Sequence, residues 1–116
     1  MDKRKTWFLD FDGTIVYQKS YLKDEDYILP TTIDFFTNVV KENDFVVITT
    51  GREEYHKERI EKFMRSFGLK CDLIICGLPT GLRILVNDMK PDGTKTAQSY
   101  NLVRDNGVNF EDFYEN

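Results

Sequence analysis

Four short apolar runs along the chain are typical of buried strands. Each run is rich in β-branched or aromatic residues and is followed by a glycine, an aspartate or an asparagine, as expected of strands that stop at turns. Near-continuous apolar runs of this length are characteristic of strands in parallel sheets. The predicted strands cover residues 5–11, 45–50, 72–76 and 83–86.

Apolar residues at helical spacing separate most of these runs. The clearest case is a predicted helix over residues 53–67, with Gly68 as its C-terminal stop. An earlier helix is predicted to begin at Pro30, since proline is common in the first turn of a helix. Thr94 or Thr96 caps a predicted last helix that runs to about residue 106. Residues 14–29 predict a loop or a small hairpin. The apolar stripes consist of Ile60, Phe63, Met64 and Phe67 in the first case, and of Ile33, Phe36, Val39 and Val40 in the earlier helix.

Alternation of strands and helices predicts an α/β fold. We expect a three-layer, doubly wound, mostly parallel sheet with helices on both faces. No repeat, linker or low-complexity segment interrupts the pattern, so residues 1–116 are expected to form a single domain.

Composition excludes several classes of protein. Hydrophobic residues make up 41% of the chain, which excludes a disordered acidic tail. The net charge is −4, from 16 Lys and Arg against 20 Asp and Glu, which argues against a basic nucleic-acid wrapper. No apolar run approaches the roughly 20 residues of a membrane span, and no secretory leader is evident. We therefore expect a cytoplasmic protein, with Cys71 and Cys76 as reduced thiols.

Acidic and hydroxyl side chains follow three of the predicted strands. Asp10 and Asp12 close the first strand, Thr50 and Arg52 follow the second, and Asp88 follows the fourth. Because ligands of an open parallel sheet bind beyond the carboxyl ends of its strands, these groups are expected at one site. Two nearby carboxylates repel each other unless a cation lies between them, and Mg²⁺ is the usual occupant of such an oxygen-rich cluster.

These motifs resemble those of the haloacid dehalogenase (HAD) superfamily of phosphatases and phosphotransferases. Residues 10–14 (DFDGT) match the first motif of that family, and residues 46–52 (VVITTGR) resemble the second. Asn87 and Asp88, with Asp92 four residues later, resemble the fourth. The resemblance extends from about residue 5 to residue 107.

The resemblance implies a role for each matching residue. Asp10 is the expected nucleophile, which forms an aspartyl-phosphate. Asp12 is the expected acid and base, and Thr50 binds the transferring phosphoryl group. Mg²⁺ is held by Asp10, by the main-chain carbonyl of Asp12 and by Asp88. The expected substrate-binding positions are Gly13, Thr14, Gly51 and Arg52.

The third and fourth motifs depart from the family pattern. Asn87 stands where many members have an acid, which leaves one fewer carboxylate near the metal. The cation of the third motif has three candidates, Arg83, Lys70 and Lys95, of which Arg83 is favoured because it opens the strand that leads to Asp88.

The space between motifs has room for a flap but for no large cap domain, so the chain resembles a capless member. A Mg²⁺-dependent phosphomonoester hydrolase is the expected function, with a small phosphorylated sugar or similar metabolite as substrate. A homo-oligomer is possible, because a neighbouring subunit can exclude water from a site without a lid. The alternatives are a phosphatase of nucleic-acid ends, a non-catalytic phosphate-binding domain and a receiver-like signalling domain. The acid-x-acid-Gly-Thr spacing after the first strand argues against the receiver.

Overall fold

The computed structural model describes residues 3–109 and residue 113. Three strands alternate with two α-helices, and each helix connects two neighbouring parallel strands. The elements are β1 (Thr6–Asp10), α1 (Thr32–Asn38), β2 (Phe45–Thr49), α2 (Lys57–Ser66) and β3 (Leu73–Ile75), with 3₁₀ turns at Gln18–Leu22 and Glu54–His56. The α/β class predicted from the sequence is therefore confirmed for this part of the chain.

The sheet has the order β1-β2-β3, and both pairs of strands are parallel. Ile48 in the central strand lies beside Leu9 of β1 and Ile74 of β3. Because β2 has a neighbour on each side, its last four residues are all buried, as the continuous β-branched run predicts.

Asp44 fixes the start of the sheet. Its buried carboxylate accepts hydrogen bonds from the Lys5 amide at 3.0 Å, the Lys41 amide at 2.9 Å and the Trp7 indole Nε1 at 2.9 Å. Burial alone would raise the pKa of Asp44, but these hydrogen bonds lower it below its ordinary value. One carboxylate thus joins the beginnings of β1 and β2 to Lys41 in the turn that follows α1.

Both helices contact the same face of the sheet. Trp7 meets Phe35 of α1 edge-on at 5.4 Å between ring centroids, and Phe11 meets Phe63 of α2 at 5.5 Å. Trp7 and Phe11 share a face, since alternate residues of an extended chain point the same way. On the opposite face, Phe8 is 57% exposed, and Leu73 and Ile75 of β3 are also exposed.

Helix α2 confirms the strongest helical pattern in the sequence. Ile60, Phe63 and Met64 are buried against the sheet, whereas Phe67 lies beyond the helix and is exposed. Gly68 has φ of +66°, and the Leu69 amide donates to the Met64 carbonyl at 2.9 Å. A glycine at this left-handed position ends the helix as predicted. The predicted start at residue 53 is replaced by a 3₁₀ turn.

Helix α1 is shorter than predicted, and its predicted apolar stripe is confirmed except at Ile33: Val39 and Val40 are buried, and Phe36 packs against the core. The helix begins at Thr32 rather than at Pro30, and its buried residues are Thr32 and Phe35. Ile33, a predicted core residue, is 41% exposed. The aromatic contact between Phe35 and Trp7 sets the rotation of the helix, which turns Ile33 away from the core.

The loop between β1 and α1 has a partly hairpin-like form. Val16 and Ile28 form an antiparallel bridge, and the Tyr17 amide donates to the Tyr27 carbonyl at 3.0 Å. Between these residues the chain forms the 3₁₀ turn Gln18–Leu22. This agrees with the prediction of a loop or small hairpin.

The predictions of a fourth strand and a last helix are wrong. Residues 76–109 contain neither element, and the run at 83–86 is exposed, with Val86 at 88% and Ile84 at 77%. A short apolar run becomes a strand only where a sheet edge supplies hydrogen-bond partners, and here it pairs with neither β1 nor β3. The segment is tied to the rest of the fold further along, where the Asp105 amide donates to the Gly13 carbonyl at 2.9 Å and Val108 is buried.

Among residues 3–109 and 113, the structure contains no helix that has both the length and the apolar character to cross a membrane.

Candidate functional site

The chain turns sharply after β1 and brings Asp10 and Asp12 to the carboxyl end of the sheet. The Phe11 amide donates to the Thr49 carbonyl at 3.0 Å, which continues the pairing with β2 by one residue. Gly13 follows with φ of +85°, and a Cβ there would lie 3.1 Å from the Gln18 side chain. The turn therefore requires glycine at residue 13 for both backbone and space.

Thr14 lies inside this turn. Its amide donates to the Phe11 carbonyl at 3.3 Å, and the next two amides share the same acceptor. Thr14 and Gly13 thus shape the backbone around the two aspartates, which is compatible with their predicted place at the substrate.

Asp10 is partly exposed and faces a cation. The Arg83 Nη1 lies 3.7 Å from the Asp10 Oδ1, and the Asp10 side chain is 42% exposed. Burial raises the pKa of Asp10 above its ordinary value, and the charge of Asp12 adds to this, while Arg83 and Arg104 lower it. The carboxylate is therefore accessible and more basic than a solvated aspartate.

Arg83 stands out among the three candidates for the third-motif cation. It makes the ion pair with Asp10, whereas Lys70 pairs with Asp72 at 3.0 Å. Lys95 lies in an exposed stretch without regular structure. Arg104, which sequence reasoning missed, is a second cation near Asp10 and packs beside Gly13.

Asp12 is held by side chains that follow β2. The Arg52 Nη2 lies 2.7 Å from the Asp12 Oδ1, and the Arg52 Nε donates to both carboxylate oxygens at 3.2 Å. The Thr50 hydroxyl donates to the Asp12 Oδ2 at 3.2 Å. The predicted site residues that follow β1 and those that follow β2 are therefore in contact, as expected for strands that end at the same edge of the sheet.

Thr50 is fully buried, and its hydroxyl is already occupied on both sides. It donates to Asp12 and accepts a hydrogen bond from the Arg52 amide at 3.0 Å. A Cβ at the neighbouring Gly51 would lie 3.3 Å from the Leu78 carbonyl, so the 50–52 turn packs closely on the chain after β3. Thr50 orients Asp12 in this structure.

Arg52 is buried between two carboxylates. Its side chain is 3% exposed, and its Nη2 lies 2.7 Å from the Oδ1 of both Asp12 and Asp26. The guanidinium also lies over the Phe11 ring at 5.0 Å. Burial alone would lower the pKa of Arg52, but hydrogen bonds to Asp26 and Asp12 raise it, so the side chain stays charged.

Asp26 and Arg59 were missed by sequence reasoning. The Asp26 side chain is 1% exposed and accepts a hydrogen bond from the Arg59 Nε at 3.0 Å. Asp26 lies in a charged stretch of the 14–29 loop, and Arg59 lies next to Glu58 on a helix, so both look like solvated residues in the sequence. Nothing in their local pattern distinguishes them.

Asp88 does not join Asp10 and Asp12 in a cluster. Within the described residues, the structure contains no group of three acidic, histidine or cysteine side chains able to hold a metal ion. Asp88 is exposed, its carbonyl accepts a hydrogen bond from the Thr96 hydroxyl, and Asn87 donates to the same hydroxyl at 3.4 Å. Because residues 83–86 do not form a strand, no sheet pairing directs Asp88 to the site. The described residues therefore do not supply the expected three-residue set for Mg²⁺.

The two cysteines are unpaired and partly buried. Burial raises the pKa of the Cys71 thiol to about 11, and burial also raises the pKa of Cys76. A thiol of high pKa is a poor source of thiolate near neutral pH, so neither side chain is suited to nucleophilic catalysis.

Comparisons with protein-family models, curated proteins and solved structures find no match for this chain.

Proposed function

We propose that this chain is a phosphomonoester hydrolase similar to the HAD phosphatases, with Asp10 as its nucleophile. The proposal is supported above all by one juxtaposition. An accessible carboxylate of raised pKa faces the Arg83 guanidinium, and a second carboxylate two residues along the chain is oriented by Thr50 and Arg52. The DFDGT sequence of residues 10–14 points to the same chemistry.

Asp10 attacks the phosphorus atom of the substrate in the proposed first step. A bond forms between its carboxylate oxygen and phosphorus, and the bond from phosphorus to the leaving oxygen breaks with its electron pair. Arg83 and Arg104 reduce the repulsion between the carboxylate and the anionic phosphate, since both carry positive charge close to Asp10. This arrangement favours formation of an aspartyl-phosphate.

Asp12 moves the protons of the reaction. In its protonated form it donates a proton to the leaving oxygen in the first step. As the carboxylate that remains, it accepts a proton from the attacking water in the second step, in which the bond between phosphorus and the Asp10 oxygen breaks and its electron pair returns to Asp10. Inorganic phosphate leaves, and both aspartates return to their initial states. A positioned carboxyl that serves as acid and then as base accelerates each step by about 10² to 10⁴-fold in enzymes of many kinds.

The resemblance also implies a Mg²⁺ cofactor, which would neutralise charge on the phosphate. We retain Mg²⁺ as part of the proposal on the strength of the sequence motifs, although the described residues lack the expected three-residue set.

A small phosphorylated metabolite, such as a sugar phosphate, is the proposed substrate. Asp10 is 42% exposed, which suits a small phosphate group that approaches from solvent. The net charge of −4 opposes the binding of extended nucleic acid. We further propose a cytoplasmic location and assembly with a second copy, which would exclude water from the open site.

The finer fold class is part of the same proposal. We infer a three-layer, doubly wound sheet, of which the parallel order β1-β2-β3 and the two helices on one face represent one half. The open face that carries Phe8, Leu73 and Ile75 is the surface on which a second helical layer would pack. An experimental structure tests this directly, and Phe8 fully exposed there would contradict it.

A phosphate-release assay tests the proposed activity. The chain is incubated with p-nitrophenyl phosphate and with a panel of phosphorylated metabolites, each with Mg²⁺ and with excess chelator. We expect hydrolysis that depends on Mg²⁺ and is lost in Asp10→Asn, while Asp34→Asn, which alters an exposed acid on α1, serves as the matched control. Full activity of Asp10→Asn would contradict the mechanism, and full activity in chelator would contradict the cofactor.

Phosphate binding without turnover is the second candidate function. It is favoured by two observations: both oxygens of Asp12 accept hydrogen bonds from Arg52, and no three-residue metal group occurs in the described part of the chain. Isothermal titration with inorganic phosphate distinguishes the candidates. Binding that Arg83→Gln weakens, combined with no release from any substrate, would favour the binder.

A further inference from the structure

Four charged residues form one series of ion pairs beside the proposed site, with the side chains of the two central residues buried. Their charges alternate in sign, from Asp12 to Arg52, then to Asp26 and finally to Arg59. Each comes from a different segment: the turn after β1, the turn after β2, the 14–29 loop and helix α2. Such a series is costly to bury unless every charge has a partner, and here each has at least one.

Asp26 has the most buried side chain of the four residues. Its side chain is 1% exposed, and both of its oxygens accept hydrogen bonds from arginines. The Arg52 Nη2 and Nη1 lie 2.7 and 3.4 Å from its Oδ1 and Oδ2, and the Arg59 Nη2 and Nε lie 3.2 and 3.0 Å from the same two oxygens. Asp26 therefore binds the Nη1–Nη2 edge of Arg52, while Asp12 binds the adjacent Nε–Nη2 edge.

Arg59 in turn fixes Asp26 and its loop. Its Nη2 also donates to the Ser20 carbonyl at 2.9 Å, and the Ser20 hydroxyl accepts a hydrogen bond from the Tyr27 amide at 3.1 Å. The Arg59 side chain is 27% exposed and is therefore the most accessible of the four charged side chains. The loop thus holds Asp26 in place through both side-chain and backbone contacts.

We propose that Asp26 is a positioning residue, which acts through Arg52 to hold the carboxyl of Asp12 in place for proton transfer. This inference rests on the proposed phosphatase function. Asp12 alternates between its two protonation states during each proposed turnover, whereas the buried Arg52 keeps its charge throughout. A second carboxylate on Arg52 keeps the guanidinium paired and in place while its hydrogen bonds to Asp12 change.

The dependence of the rate on the leaving group tests this role. An alkyl phosphate such as glycerol phosphate has a basic leaving oxygen and needs the proton from Asp12, whereas p-nitrophenolate leaves without one. We expect Asp26→Asn to lower kcat/KM for glycerol phosphate by about tenfold or more and kcat/KM for p-nitrophenyl phosphate by about twofold. The ratio kcat/KM reports the first step, in which only the basic leaving oxygen needs the proton from Asp12, whereas kcat also contains the second step that both substrates share. Asp24→Asn, an exposed acid in the same loop, is the matched control and should leave both rates unchanged.

Two variants of Arg59 keep the test decisive if Asp26→Asn fails to fold. Arg59→Gln should lower the rates in the same unequal way but by less, and Arg59→Lys should recover part of the loss, since it restores a positive charge beside Asp26. Thermal unfolding of each variant reports whether it is folded. If the wild type is active, an equal loss of kcat/KM on the two substrates, or no loss in any of these variants, would overturn the role of Asp26 alone. A wild type inactive on every substrate would instead remove the proposed function.

Discussion

The two parts of the chain that supply the site differ sharply in how they are built. Residues 6–75 form the parallel sheet and both α-helices, whereas residues 76–109 contain neither strand nor helix. The first part contributes Asp10, Asp12 and Arg52, and the second contributes Arg83 and Arg104. In the proposed reaction, the acids that carry out the chemistry therefore lie in or beside the regular elements, and the cations that face the phosphate lie in the irregular segment.

Similar apolar runs have different outcomes in these two parts. Ile48 in β2 is fully buried because strands lie on both sides of it, whereas Ile84 is 77% exposed and has no neighbouring strand. Local sequence is much the same in the two runs. Tertiary pairing, rather than local preference for extended backbone, therefore decides which run becomes a strand.

Removing the nucleophile should have the largest effect of any single change. Asp10→Asn retains the shape of the side chain but removes the charge that attacks phosphorus, so we expect phosphate release to fall by about 10³-fold or more. Initial rates with p-nitrophenyl phosphate measure this. A variant that keeps more than a tenth of the wild-type rate would show that the sheet region does not supply the nucleophile.

Core truncation compares the stability of the two regions directly. Ile60 is fully buried in α2, so Ile60→Ala should lower the free energy of unfolding by about 2 to 5 kcal/mol. Ile84→Ala removes the same atoms from an exposed position and should change it by less than about 0.5 kcal/mol. Urea denaturation measures both, and equal losses would show that residues 83–86 are buried in solution.

Asp44 should make stability depend on pH in the sheet region. Its pKa is lowered by folding, so its contribution is present above the unfolded-state pKa of about 3.9 and is lost as the pH falls through the folded value. Asp44→Asn should cost about 1 to 3 kcal/mol at pH 7, and the difference from wild type should shrink below about pH 4. Urea denaturation across this range is the measurement. A difference that stayed constant with pH would argue against the hydrogen-bonded carboxylate.

Arg83 should have the smallest effect of these four changes. Its guanidinium lies 3.7 Å from Asp10 and is partly exposed, so solvent screens much of its charge. We expect Arg83→Gln to lower kcat by about tenfold without a change in the free energy of unfolding. Lys70→Gln, which alters a cation paired with Asp72, should leave the rate unchanged. Identical rates for the two variants would exclude Arg83 from the site.

The regular elements of the first part could be predicted from the sequence because their patterns are local. The β-branched run of β2 and the apolar stripe of α2, followed by Gly68, each carry enough information within one element. The meeting of Asp12 with Thr50 and Arg52 also followed, since parallel strands end at the same edge.

The remaining features depend on contacts between distant residues. Asp26 lies 26 residues from Arg52 and 33 from Arg59 in sequence, and no local pattern marks it as buried. Residues 83–86 are exposed because they pair with no strand, and Asp88 is therefore not directed to Asp10 and Asp12. The sequence of the run does not show whether a partner strand lies beside it. Arg104 reaches the site because Asp105 is hydrogen bonded to Gly13, which is a tertiary contact as well.

Identification of the phosphorylated residue tests the central proposal most directly. The chain is mixed with a small phosphoryl donor, quenched in acid within seconds and digested, and its peptides are analysed by mass spectrometry. We predict one added phosphoryl group on the peptide that contains Asp10, and none on that peptide in Asp10→Asn. Turnover without any modification of this peptide, or a phosphoryl group carried on another residue, would contradict the account.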